Sequence, residues 1–506
     1  MEQTCPMPDL ETERPAADRG GRLTRRGLFA GAAALAAVWA GRRRAEAQVG
    51  ADTPGDVDPA SLLHKLVSRC TFGITPEEYN LALSLGYAGY LEHHLNYAAI
   101  PENPTLAARL AALGTLDDSA ATIIINGQDA LARTELTEAA ILRAQLSTRQ
   151  LFERAVEMWT DHFNIYPDNT NLRAYKTVDD REVIRAHALG SFRSLLAASA
   201  HSPAMLAYLD NHISTAVRPN ENYARELMEL HTLGVTGGYT QQDVIEVARC
   251  FTGWSVRTGG PAEQRHVFLF NAVNHDNGQK TVLGNIIPAG GGQQDGETVL
   301  QILLDHPSTA AFIAGKVCRQ FLGYTVPRAT VDAVAAVYTQ SNGDIKAMIR
   351  AALAPERLAA AAPKLKRPFH HFVSGMRGTL TTMNSSASLR NLLQGAGHLP
   401  FNWTTPDGYP DKIEHWGSNL VSRWNFGASL CSGSIANTSP DFTAMFNGLT
   451  TADQYADRIN ELMWAGAMPA SERNRIRDYM LPDPPSAARR NEGPGLAIGA
   501  PSFQWY

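Results

Sequence analysis

The chain lacks most of the fingerprints by which a sequence declares its chemistry. It has no G-x-S-x-G, no phosphate-binding P-loop and no G-x-G-x-x-G turn, so serine-hydrolase, nucleotide and flavin readings have no support. It has no H-E-x-x-H; one E-x-x-H, Glu263 to His266, runs into an expected strand and reads as chance. Cysteine is scarce. Cys70, Cys250, Cys318 and Cys431 stand far apart, with no C-x-x-C and no C-x-x-C-H, which argues against a structural zinc site or attached haem. They read as buried free thiols that pack like small hydrophobes. A basic excess is missing too: 45 Lys and Arg face 50 Asp and Glu, a net charge of −5. A mildly acidic chain without a basic stripe is a poor nucleic-acid binder.

Long apolar runs are absent except near the start, where Phe29 to Ala40 spans about a dozen residues, against the roughly 20 that cross a bilayer. Thr24-Arg25-Arg26-Gly27-Leu28-Phe29 precedes it, and Arg42-Arg43-Arg44 and Ala45-Glu46-Ala47 follow. A basic region, an apolar region and an A-x-A site in that order make a cleavable leader. The paired arginines place it in the twin-arginine class. Residues 1–47 are therefore expected to be a twin-arginine signal peptide, 48–58 a Gly/Pro/Asp-rich linker, and 59–506 one large domain without a membrane span. The leader carries eight Arg against six Asp and Glu, so its removal shifts the net charge from −5 to −7. The expected location is periplasmic or extracellular.

From Ala60 onward apolar residues recur at three- and four-residue spacing, the helical period. Thr75-Pro76-Glu77-Glu78 opens a helix with a hydroxyl cap, a proline and acids in the first turn. Long helices are expected over 129–163 and 179–198, with shorter ones at 222–233, 241–251, 297–304, 309–322, 331–339, 345–353, 364–379, 415–430, 452–464, 470–480 and 485–498. Only 266–270 and 280–283 read as strands, paired as one hairpin across 271–279. The fold class is all-α with a small β-hairpin insert.

Polar residues crowd three segments: Trp159-Thr160-Asp161-His162-Phe163-Asn164, Asn220 to Gly234, and Asn274 to Lys280. In the second, Asn222, Glu226 and Glu229 fall at i, i+4 and i+7 and share a helix face. Two carboxylates a turn apart in a dry cleft favour keeping a proton on one, which suits acid–base work or a shared metal. An ordinary solvated acidic face explains the same spacing. His162 is a candidate metal ligand or a core histidine beside Trp159, and His275-Asp276 a ligand-facing loop or plain turn chemistry.

These segments resemble, in order, the bacterial "domain of unknown function 1800" family. The stretches that carry the resemblance include HKLVSRCTFGITPEE (64–78), MWTDHFN (158–164), SPAMLAYLDN (202–211), NENYARELMELHTLGV with GGYTQQDV (220–244), ARCFTGW (248–254), HDNGQKTVLG (275–284), HPSTAAFIAGKVCRQF (306–321), FNWTTPDGYPD (401–411), SRWNFG (422–427) and the ending GAPSFQWY. The resemblance covers nearly all of the chain beyond the leader. It implies export, a largely helical fold and frequent encoding beside an exported family similar to sulfatases and alkaline phosphatases; it implies no reaction. This chain has Thr160-Asp161 where the family often shows a second histidine or asparagine.

The expected function is an exported hydrolase acting on an extracellular polymer, with polysaccharide favoured. Glu226, Glu229, Asp161 and Asp276 are its candidate acid–base groups. Asn222, Tyr223, Arg225, Trp159, Trp254 and Trp403 are its candidate sugar-binding groups. A metal-dependent enzyme using His162 and His275 with the glutamates, around a divalent ion, is a second reading. A non-catalytic envelope scaffold, or partner of the neighbouring phosphatase-like protein, is a third. Both enzymatic readings place His162, Glu226 and Glu229 in one shell, with His275 or Asp276 at its rim.

Overall fold

Local capping decides where many of the helices begin. In the computed structural model, which describes residues 59–506, the Thr75 hydroxyl accepts from the Glu78 N–H and opens Pro76–Leu95. Thr240 and Thr451 build full capping boxes at Gln241–Cys250 and Ala452–Trp464. The expected leader and linker, 1–58, lie outside the described residues. Among the described residues there are 24 α-helices and three small two-stranded sheets, so the fold is mainly α. No described helix is long and apolar enough to cross a membrane.

Three local expectations need correction. The long helix expected over 129–163 is two, Asp129–Leu146 and Gln150–His162, parted where Ser147 turns extended. The helix expected over 179–198 is interrupted as well. Thr170–Asp179 runs into a π-helical turn, Asp180–Arg185, and Ser191 then caps a new helix, Phe192–Ala200. The two strand segments do not pair with each other. Phe268–Phe270 pairs antiparallel with Trp254–Val256, and Lys280–Val282 turns back on Asn285–Ile287. The turn of that second hairpin is Leu283-Gly284, both at positive φ, the backbone that a two-residue hairpin loop requires. A third pair joins Thr382–Met383 to Thr438–Ser439.

The signature helix also departs from α geometry. Glu221–Glu226 is α-helical, but Leu227–Thr232 widens to π pitch. The Leu233 N–H reaches back five residues to Met228 O, and the Thr232 hydroxyl to Leu227 O. The wide turn holds Glu229, while Glu226 ends the α-helical part. Wide turns of this kind are frequent at functional sites.

The apolar side chains form two main clusters. Helix Gln150–His162 puts Leu151, Ala155 and Trp159 into the first. Pro368–Gly378 and Leu420–Cys431 build the second, joined by the stacked rings of Phe372 and Phe426 at 4.0 Å. The chain's last residues return to this second cluster through the Lys366 N–H to Gln504 O and the Tyr506 N–H to Lys364 O. Charged groups collect where the two clusters meet.

Candidate functional site

Helix Gln150–His162 carries its acids on the face turned from the first cluster. Glu153, Glu157 and Asp161, four residues apart, line a narrow cleft of about 60 Å³ with Thr160, Asn164 and Tyr409. That space holds a few water molecules and no sugar ring. Each acid meets a cation from another element. Glu153 takes both Arg185 nitrogens, at 2.6 and 2.9 Å. Glu157 takes Arg367 at 2.8 Å and Arg154 at 3.3 Å, and Asp161 takes Arg367 at 2.7 Å.

Arg367, fully enclosed at the start of helix Pro368–Gly378, thus clamps two carboxylates that titrate differently. Burial opposes the charge on Glu157, but its cationic neighbours outweigh it and hold Glu157 well below the usual range. For Asp161 burial wins over Arg367, the charge on Glu157 adds to it, and the carboxyl is pushed up to about 6. His370 reaches Glu157 at 2.5 Å from Nε2, while its Nδ1 accepts from the Tyr506 hydroxyl. Burial, with Arg154 adding, drives His370 well below its ordinary value, so it donates to Glu157 as a neutral imidazole. Glu157 is thus held down by His370, Arg367 and Arg154 together. Two carboxylates with values pushed apart divide the roles of proton holder and fixed charge.

The segment 401–411 closes over the end of this helix. Asn164 donates to the carbonyls of Trp403 and Thr405, at 2.9 and 2.8 Å, and Tyr208 donates to Thr404 O. Gly408 has φ +72°, and a Cβ there would lie 1.9 Å from Asp161 O, so only glycine fits. Asp407 accepts from Trp403 Nε1 at 3.0 Å and from the Thr405 hydroxyl. Lys316, on helix Pro307–Phe321, feels both Asp161 and Asp407; burial and Arg319 push it down to about 8. Asp407 in turn acts on Glu226, which partial burial and Glu229 raise above the ordinary carboxylate value against Arg225. Glu229 accepts from the Tyr239 hydroxyl at 3.2 Å. Asp161, Lys316, Asp407, Glu226 and Glu229 thus form one electrostatically linked rim drawn from four of the stretches that carry the family resemblance.

The candidate histidines stand apart from the carboxylates of that rim. His162 is enclosed among Trp159, Phe163 and Phe192 and reaches His231 O at 3.2 Å. Burial, Lys316 and His231 hold it well below its ordinary value. Of the segment that holds Glu226 and Glu229, His162 hydrogen-bonds the backbone of the buried His231 and neither carboxylate. His275 is buried between Thr252 O, 2.8 Å from Nδ1, and Asp295, which also takes Lys280 at 2.6 Å. Asp276 forms an ion pair with Arg249 at 2.7 Å, which holds it below the usual range. Neither His275 nor Asp276 contacts a residue of the rim; both brace the β segment. Among the described residues no three His, Cys, Asp or Glu side chains gather to hold a metal ion.

The sugar-binding candidates divide in the same way. Trp159, Tyr223 and Trp254 are fully enclosed and fill the core, with Trp159 Nε1 spent on Ala188 O and Tyr223 edge-on to Phe251. Arg225 pairs with Glu221 and Gln241 on the surface. Asn222 lies beside Leu209 O. Trp403, held by Asp407, does stand on the rim. Sequence reasoning missed Glu157, Arg367 and Asp407. Glu157 stands four residues before Asp161, and Asp407 lies inside FNWTTPDGYPD, so a signal for both was present.

The family described as Protein of unknown function (DUF1800) matches residues 65–505. No curated protein and no solved structure matches the chain.

Proposed function

The chain belongs to the DUF1800 family of proteins of unknown function, and on that premise we propose that it is an exported hydrolase acting on an extracellular polymer, with polysaccharide the favoured substrate. One observation carries this reading: Asp161 and Glu157 share a helix face, a cleft and the Arg367 clamp, beside room for water. In this mechanism Glu157 stays ionised and fixes Arg367. Asp161 gives its proton to the leaving oxygen. Glu226, the other carboxylate of the rim raised above its ordinary value, takes the proton of the attacking water. The polymer lies along the rim past Trp403 and Asp407, because the cleft admits only water. The Arg25-Arg26 pair ahead of the apolar run Phe29 to Ala40 supports export, and an exported enzyme meets polymers outside the cytoplasm.

A second reading has its own support. Glu153, Glu157 and Lys364 are closed within the protein by Arg185, Arg367 and Asp411, as in a network that specifies a fold. This is the scaffold reading. Release of reducing ends from a panel of polysaccharides by the wild-type chain and by Asp161→Asn separates the two. The hydrolase reading expects release that the substitution abolishes; the scaffold reading expects none from either.

A further inference from the structure

Behind the wall of the cleft, the second cluster buries more positive charge than its carboxylates can balance. Arg69, Arg154, Lys364, Lys366, Arg367 and Arg423 are all enclosed, whereas the acids among them are Glu157, Asp161 and Asp411. Arg367 and Lys364 are paired. Arg154 shares Glu157. Arg69, Lys366 and Arg423 meet no carboxylate.

Their nitrogens are short of partners as well. Arg69 Nη2 donates to Ala362 O at 2.7 Å, but Nε and Nη1 have no acceptor. Arg423 Nη1 reaches Gln504 at 3.3 Å, and its Nε and Nη2 have none. Lys366 has the Ser374 hydroxyl at 3.1 Å and otherwise faces the rings of Phe503 and Tyr506. The arrangement converges on one ring: Arg154, Lys366 and Arg69 lie 5.1, 5.8 and 5.9 Å from the centre of Tyr506. An aromatic face attracts a cation but supplies no counter-charge. Uncompensated ions are costly to bury, and orphaned charged donors add to that cost. Internal water would satisfy the donors and leave the charge.

We propose that a small oxyanion of the phosphate or sulfate type binds among Arg69, Arg154, Lys366 and Arg423 beside the Tyr506 ring. Guanidinium forks match the oxygens of such an anion, and their unpartnered nitrogens are the donors it would occupy. Burial pushes Arg69 and Arg423 down to about 10 and Lys366 to about 7, a cost that a bound anion would relieve. Asp411 Oδ1 is the one orphaned acceptor nearby; it acts on Arg69 and leaves Arg423 and Lys366 without a counter-charge.

The test is titration of the full chain with inorganic phosphate, and separately with inorganic sulfate, against chloride at matched ionic strength. Calorimetry and the melting temperature are read together, and acid-denatured protein is assayed for released phosphate and sulfate. The expected result is a saturable single site, or an anion carried through purification, with a melting temperature that rises with ligand. Arg423→Met should weaken binding about tenfold or more, the loss of one charge-assisted contact. The exposed Arg328→Met should not change it. If Arg423→Met does not fold, Lys366→Met reads the same loss. Preference between the two titrations identifies the anion. Absence of both saturable binding and released anion in the wild type overturns the proposal. So does an Arg423→Met or Lys366→Met variant that binds the anion as the wild type does.

Discussion

Replacing Asp161 by Asn should stabilise the folded chain at pH 8 and leave it nearly unchanged at pH 4. The carboxyl rises from 3.8 to about 6 on folding, chiefly because it is buried. Its side chain is 19 % exposed, enclosed enough for the shift to count as free energy. Two units at about 1.4 kcal/mol each come to roughly 3 kcal/mol. The sign follows from proton binding. Between pH 3.8 and 6 the folded chain holds a proton that the unfolded chain has released, so stability falls as pH rises through this window. Below it both states are protonated and the cost vanishes; above 6 the whole cost is present. Asn mimics the protonated form and keeps an oxygen for Arg367, which still holds Glu157. Urea denaturation of both proteins at pH 4 and pH 8 reads the difference directly, since titrating groups remote from Asp161 cancel between them. The variant should gain about 3 kcal/mol at pH 8 and only about 0.5 kcal/mol at pH 4, near the lower end of that window. A loss at pH 8, or the same change at both pH values, would refute the reasoning by showing that Asp161 is an ordinary ionised partner of Arg367.

Three further outcomes follow from the packing. Gly408→Ala should cost about 2 kcal/mol or more, because the positive φ strains alanine and the Cβ strikes Asp161 O; a melting temperature equal to wild type would show that the 401–411 segment does not press on that helix. Trp254→Ala should cost about 3–5 kcal/mol by denaturant titration, since its ring is enclosed by Phe251, Phe268 and His201; a near-neutral change would return it to the surface as a binding group. Cys70, Cys250, Cys318 and Cys431 are buried free thiols, and burial lifts Cys250 and Cys431 to about 12. These four should resist a thiol reagent until the chain unfolds, and rapid labelling of any of them in the folded state would contradict that burial.

What was legible in the sequence is what local chemistry dictates. The helix expected at 452–464 matches Ala452–Trp464 because Thr451 and Gln454 form its capping box in adjacent sequence. The break at Ser147 and the wide turn at Leu227–Thr232 were not legible, since both segments keep a helical apolar period. The strands were placed to within a few residues but mispaired. Trp254–Val256, at the end of a helical stretch, gave no signal, and the Leu283-Gly284 turn went unread. At the site, Asp161 and the Glu226–Glu229 pair stood out as acids in polar segments. Their neighbours Arg367 and Asp407 come from some two hundred residues away in the chain, and only folding brings such groups together. His162 and His275 drew attention as candidate ligands, yet each satisfies a buried contact, His231 O and Asp295.

The central claim is that Asp161 is the proton-giving group of a hydrolytic site. It is tested most directly by following reducing-end release from a polysaccharide panel against pH, for the wild type, Asp161→Asn and Asp276→Asn side by side. The account predicts activity that falls above about pH 6, the value to which Asp161 is raised, as this acid loses its proton. It predicts loss of that activity in Asp161→Asn by a factor on the order of 10² or more, the usual contribution of a positioned acid. Asp276→Asn, which alters the Arg249 ion pair and the turn at Gly278, away from the rim, should keep it. Full activity in Asp161→Asn, or no release from any polymer by the wild-type chain, would contradict the claim.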